Sequence, residues 1–240
     1  MSFGYYDIGP EGLAWVMERS PSPKVLDTLV CLSRHHFGWF SKQTSRAFEG
    51  PWILSQIGSV PSMPILDIGA GVSPLPLFLA EEGSKVVTVD HSPIIRRLGE
   101  DQDTWNDWGY LDYACLNRNI HSLNDDILAV GFSQQSFSYI YSVSVVEHMP
   151  SSVRRQLWSR VGEWLAGDGV LLLTIDLFPG SEQLWNYSEN QLVEPFAEHG
   201  DLTMLERELS QVGFKLTKRE FLRDLLDSRV DVALLRFVRS

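Results

Sequence analysis

Apolar and polar positions repeat with two different periods along this chain, and the change of period divides it into a helical start and a strand-rich remainder. From Lys24 onward, Val25, Leu26, Leu29, Val30 and Leu32 recur at i, i+3 and i+4 spacing, which predicts an amphipathic helix. Pro21-Ser22-Pro23 separates it from a short leader. From Ile65 onward the apolar runs shorten to strand length and are bounded by Gly, Pro, Asn or Asp. They cover Ile65 to Ile68, Lys85 to Val89, Leu111 to Leu116, Tyr139 to Val143, Val170 to Asp176, Gly213 to Leu216 and Val230 to Val238. Helices are predicted between them: after Pro74, from Ser92 to about Glu100, through Arg154, Arg155, Leu157, Trp158 and Trp164, and from Leu202 to Val212. Strands alternating with helices predict an α/β fold.

The run from Pro64 to Pro76, P-I-L-D-I-G-A-G-V-S-P-L-P, carries the first chemistry. Gly69 and Gly71 stand at G-x-G spacing after the strand, where missing Cβ atoms permit a sharp turn and the approach of a ligand to bare backbone. Pro74 and Pro76 fit the first turn of a helix, where an absent N–H costs nothing. A third glycine of G-x-G-x-x-G would fall at Pro74, and the proline removes a donor that a pyrophosphate would use. The loop therefore suits a ligand without phosphates, and Asp67 beside it would attract a cationic amino group. Asp90 closes the next strand about twenty residues later, where a carboxylate takes the ribose hydroxyls in doubly wound folds. It also stands where it would cap the helix predicted from Ser92-Pro93, and the two roles are compatible. His91 and Ser92 are then expected near the adenine edge.

The run L-D-I-G-A-G resembles the first motif of class I S-adenosylmethionine-dependent methyltransferases, whose loop cradles the methionine part of the cofactor. Arg46 to Leu54, with Arg46, Glu49 and Trp52, is similar to the lead-in helix R-x-x-E-x-P-W of methyltransferases in sugar and secondary-metabolite pathways. Ser138 to Pro150 is similar to the fourth motif, F-D-x-I-x-S-x-x-V-x-E-H, with Ser138 in place of the usual Asp. Gly167-Asp168-Gly169 corresponds to the L-x-P-G-G region. The resemblance covers residues 46 to 238. It implies a doubly wound, seven-stranded, mostly parallel Rossmann-like sheet, with one antiparallel strand in the final pair, and S-adenosyl-L-methionine as cofactor. Cofactor contacts are implied at Asp67, Gly69, Ala70, Gly71, Asp90, His91 and Ser142. Asn119, following the third strand, stands in place of the Asp that bonds the adenine amino group, and an amide can also accept that bond. Glu147 and His148 are implied near the transferred methyl.

In that setting His148, an imidazole with an ordinary pKa near ~6.5, suits a general base, with Glu147 orienting it or binding a substrate cation. The pair serves equally well to shape the cofactor pocket. Asp176, at the end of the fifth strand, is a further substrate-side candidate. Trp39 and Trp52 belong to an aromatic stretch that suits either a pocket wall or packing against the sheet. Trp185 and Tyr187 lie in a long segment, 177–200, of the kind that forms a lid. His35 and His36 are adjacent and point apart, so no metal site is expected. The organisation predicted is a helical cap over 1–60 and a cofactor-binding core over 61–240.

Composition narrows the partners. Of the 240 residues, 44% are hydrophobic and 21% charged, as in a globular protein, and the formal net charge is −11, which counts against nucleic acid. Cys31 and Cys115 are flanked by apolar residues, predicting buried free thiols in a reducing compartment. Neither a basic leader nor an apolar run of ~18 residues is present, so the expectation is a cytoplasmic enzyme off the membrane. The expected function is methyl transfer to an oxygen or nitrogen of a small biosynthetic metabolite, with the oligomeric state left open. Two alternatives stand beside it. The Ser138 and Asn119 departures suggest a cofactor-binding regulatory subunit without turnover, and the strand-glycine-Asp90 pattern is shared with NAD-dependent oxidoreductases.

Overall fold

The computed structural model of the chain describes residues 6–99, 102–185, 198–226 and 229–239. These divide into two compact units, Met1–Asp126 and Ile127–Ser240. The first contributes three strands and the second four to a seven-stranded mixed sheet.

The first unit begins with α1 (Pro10–Arg19), α2 (Pro23–Phe37) and α3 (Arg46–Ile57). The apolar face read from the sequence is the one α2 buries, through Leu26, Leu29, Val30 and Phe37. Next come β1 (Ile65–Ile68), α4 (Leu75–Glu81) and β2 (Val86–Val89), then β3 (Ile95–Arg96), β4 (Tyr110–Leu111) and β5 (Ile120–Leu123). Strands β5, β2 and β1 run parallel, with Ile65 opposite Val86 and Val86 opposite Ile120. All four residues of β1 are buried, which explains an apolar run without alternation.

Three sequence expectations fail in this unit. Among the described residues, 92–99 form no helix. Asp90 and Ser92 instead accept the amides of Ser92 and Ile94 at 2.7 and 3.2 Å, and β3 pairs with β4. Side-chain acceptors and the β-branched Ile94-Ile95 pair compete with helix formation here. The third sheet strand is not Leu111 to Leu116 either. Asp112 accepts the amide of Ala114 and starts a 3-10 turn, Tyr113–Cys115, and the strand begins only at Ile120. Finally, both cysteines are exposed and free. Cys31 lies off the buried face of α2, and Cys115 sits in that turn.

The second unit holds β6 (Phe137–Val143), α5 (Ser151–Trp164), β7 (Leu165–Leu177), α6 (Leu202–Gln211), β8 (Phe214–Leu222) and β9 (Asp231–Arg239). β7 runs parallel to β6, while β9 runs antiparallel to both β7 and β8, so the single antiparallel strand is where the resemblance placed it. Gly167 and Gly169 form no turn ahead of the strand. They lie inside β7, where a register shift sets Phe137 opposite Leu165 and Tyr139 opposite Val170. Trp158, Trp164 and Leu157 of α5 are buried, as are Leu171, Leu172 and Leu173 of β7.

The segment after β7 is partly ordered by backbone pairing. Phe178 donates its amide to Gln183 at 3.0 Å and Leu184 donates to Gly200 at 3.1 Å, so its described part folds back as a short turn. Tyr187 lies outside the described residues.

Candidate active site

In the first unit the chemistry gathers at the carboxyl ends of β1 and β2, where residues in a parallel sheet face a ligand crevice. Gly69 and Gly71 have φ of +74° and +53°, the left-handed region that favours glycine. At Gly71 the reason is also steric, because a Cβ there would run into the carbonyl oxygen of Asp107. The bare backbone thus admits another stretch of this chain. Asp67 is buried on β1 and Ala70 is buried in the turn.

The amides that follow are all committed within the unit. Gly71 donates to Asp90 Oδ2 at 2.9 Å, Val72 to the Asp107 carbonyl at 2.9 Å, and Ser73 to the Tyr113 hydroxyl at 2.6 Å. Tyr113 is fully buried, and its Oη also lies 3.0 and 3.1 Å from the carbonyls of Gly71 and Ser73. Burial pushes the Tyr113 phenol well above its ordinary value, so it stays a neutral donor. The loop from Gly71 to Ser73 therefore keeps no amide for a phosphate, while Asp90 is held by two amides with its carboxylate at the strand end. That donor set fits a ligand with hydroxyls and a cationic group, as S-adenosylmethionine has, better than a pyrophosphate.

Asp107 joins this turn to the helical start. Its carboxylate accepts from Tyr6 at 3.0 Å and Ser41 at 2.8 Å and lies 3.7 Å from Arg46 Nε. Burial raises the Asp107 carboxyl above its ordinary value, with Arg46 opposing. Arg46 also pairs at 2.7 Å with the buried Glu49. Trp39 and Trp52 are buried. Trp39 packs edge-on against Tyr6, and its indole N–H has no partner among the described residues.

Asn119 is not where the sequence placed it. It precedes β5, with its side chain on the Ala80 carbonyl at 3.3 Å, at the opposite end of the strand from Asp90. The shift follows from the 3-10 turn that displaced the strand. Asn124 follows β5 instead and donates to the carbonyls of Asp90 and Ser92 at 3.2 and 3.1 Å. His91 is exposed beside it. Strand-length alternation in Ile120-His121-Ser122-Leu123 was the signal for Asn124. Nothing in the sequence marked Tyr113 or Asp107.

In the second unit the carboxyl ends of β6 and β7 bring together Glu147, Asp176 and Trp185. Glu147 is fully buried on a 3-10 turn, Val146–His148, and its Oε1 accepts the Asp176 amide at 3.0 Å. Asp176 Oδ1 accepts from Ser144 at 2.8 Å, and the Asp176 carbonyl accepts the Trp185 amide at 2.8 Å. Ser144 holds φ of +51°, an uncommon conformation for a residue with a Cβ and one that clusters at functional sites. Trp185 packs against Phe178 with ring centroids 4.8 Å apart and the rings tilted by 50°. Ser142 is buried on β6, and His148 is exposed at the end of the turn.

Residues 45–219 match the family model described as a methyltransferase domain. No curated protein sequence matches the chain. Among solved structures, 1,6-didemethyltoxoflavin-N1-methyltransferase of Burkholderia thailandensis, with bound 1,6-didemethyltoxoflavin and S-adenosylhomocysteine, aligns at TM-score 0.58 and 13% identity over 97% of this chain and 91% of its own. Geranyl diphosphate C-methyltransferase of Streptomyces coelicolor aligns at TM-score 0.56 and 13% identity, covering 80% and 79% of the two chains. An S-adenosylmethionine-dependent methyltransferase of Mesorhizobium loti aligns at 0.54 and 16%, covering 79% and 96%. At such identities the likeness is one of fold.

Proposed function

The chain belongs to the methyltransferase-domain family, and from that premise we propose that it methylates an oxygen or nitrogen of a small biosynthetic metabolite. S-Adenosylmethionine supplies an electrophilic methyl on a sulfonium centre. The tasks left to the protein are to bind the cofactor, place the acceptor, exclude water and take up a proton. Asp90 takes the ribose hydroxyls, with its carboxylate already oriented by the Gly71 and Ser92 amides. Asp67, Gly69, Ala70 and Gly71 line the methionine part, and His91 and Ser142 complete the cofactor contacts. The substrate contacts we assign are Trp39 and Trp52 of the cap, 1–60, with Asp176, Trp185 and Tyr187.

The observation that carries the acceptor class is the Glu147-His148 turn. The buried carboxylate is fixed by the Asp176 amide, and the exposed imidazole beside it is the group assigned to accept the proton of an O–H or N–H. A thiol, which ionises more readily, gives such a base less to do.

The test is S-adenosylhomocysteine release measured over parallel panels of phenols, amines and thiols. Turnover is expected in the first two panels. His148→Ala should lower kcat by about 10² or more with cofactor affinity changed less than about threefold. Equal losses in both would make His148 a pocket residue. Tight binding without turnover on any panel would instead support a regulatory, cofactor-binding role.

A further inference from the structure

Within the second unit one arginine has no place in the chemistry above, yet it is among the most completely enclosed residues described. Arg154, on α5, is fully buried. It makes a two-point pair with Glu208 of α6, Nε to Oε2 at 2.9 Å and Nη2 to Oε1 at 2.8 Å. The same carboxylate accepts Ser151 Oγ at 2.6 Å and Trp158 Nε1 at 3.1 Å. A pair used only to join two helices would end there. Arg154 also donates to two backbone carbonyls outside both helices, Met149 at 2.8 Å through Nη1 and His199 at 2.8 Å through Nη2.

Those carbonyls belong to two strips of chain that are themselves cross-linked. Met149 ends the Glu147-His148 turn, whose own bonds run from the His148 amide to Val145 and from the Met149 amide to Val146, each at 3.1 Å. His199 sets its Nδ1 3.0 Å from the Glu147 carbonyl, and the Ser151 amide donates to Glu198 at 2.7 Å. A short 3-10 turn holds few bonds of its own. Its orientation has to come from outside, and a planar guanidinium with donors in fixed directions supplies it.

We propose that Arg154, oriented by Glu208, and His199 are positioning residues that together fix the Glu147-His148 turn, each gripping it from outside through a backbone carbonyl. The assignment rests on the methyl-transfer reading for its catalytic meaning. The clamp itself is measurable without any acceptor.

The experiment follows backbone amide hydrogen exchange at His148 and Met149, with Leu171 to Leu173 of β7 as internal reference, in the full-length protein. S-Adenosylhomocysteine affinity is measured alongside by calorimetry. Arg154→Lys keeps the charge but loses the fork, and His199→Leu removes one grip without touching the buried pair. Each should speed exchange at His148 and Met149 about tenfold or more while the β7 amides stay within about twofold. His199→Asn, which restores a donor, should return the turn toward the wild-type rate. Acceleration shared equally by the turn and β7 would overturn the proposal, because it reports loss of global stability. Unchanged exchange at the turn in a folded His199→Leu variant would overturn it too. A wild-type protein that binds no S-adenosylhomocysteine would sink the methyltransferase reading alone, leaving the exchange result to decide the clamp.

Discussion

The glycine turn of the first unit and the Glu147-His148 turn of the second are both short, irregular and set at strand ends, yet opposite means hold them still. The glycine turn is pinned on consecutive amides by two neutral acceptors, the Asp107 carbonyl and the Tyr113 hydroxyl, and by one bond to the carboxylate of Asp90. The other turn is pinned through carbonyls by a buried charge pair whose members lie 54 residues apart. Neutral bonds contribute about 0.5–1.5 kcal/mol each and fail one at a time, whereas removing one member of a buried ion pair strands the other. The first turn should therefore degrade gradually and the second abruptly.

The largest effect expected is at Arg154. Arg154→Ala leaves Glu208 buried beside Ser151 and Trp158 without a cation, and should cost about 3–5 kcal/mol in urea unfolding. A loss below about 1 kcal/mol would remove the contrast between the turns. Gly71→Ala comes next, because the added Cβ meets the Asp107 carbonyl in a left-handed backbone. A cost of about 1–3 kcal/mol is expected, accompanied by weaker S-adenosylmethionine binding in calorimetry. Tyr113→Phe deletes a hydroxyl bonded to three backbone groups of the same turn and should cost about 1–2 kcal/mol. Cofactor affinity should fall while the exchange rates of His148 and Met149 stay put.

The smallest effect is a pH slope. Burial raises the Asp107 carboxyl above its ordinary 3.8, so above that pH the folded chain holds this proton longer than the unfolded chain does. The contribution of this group is full below 3.8 and declines as pH rises through its raised value. Asp107→Asn should remove that decline, read as the difference in urea midpoint between wild type and variant from pH 4 upward. A difference independent of pH would refute the raised value.

Much of this protein was legible before folding. Ile65 to Ile68 and Tyr139 to Val143 are buried on all or most positions, so their apolar runs announce strands directly. Glycines at 69 and 71, and carboxylates at 67 and 90, mark a turn whose geometry few other residues tolerate. Two of the misreadings share one cause. Ser92-Pro93 suggested a helix, and Leu111 to Leu116 a strand, from local propensity, but Asp90, Ser92 and Asp112 satisfied neighbouring amides with their own side chains. That outcome moved Asn119 to the far end of its strand and left Asn124 beside Asp90.

The sequence alone determined the strand–glycine–helix unit and the α/β class, because each depends on neighbours a few residues away. Only the tertiary structure decided that Gly71 is required by the Asp107 carbonyl, that Tyr113 ties the glycine turn and that Arg154 meets Glu208. Contacts across 40 or 50 residues are chosen by which surfaces pack together, and a buried charge finds its partner only once packing has excluded water.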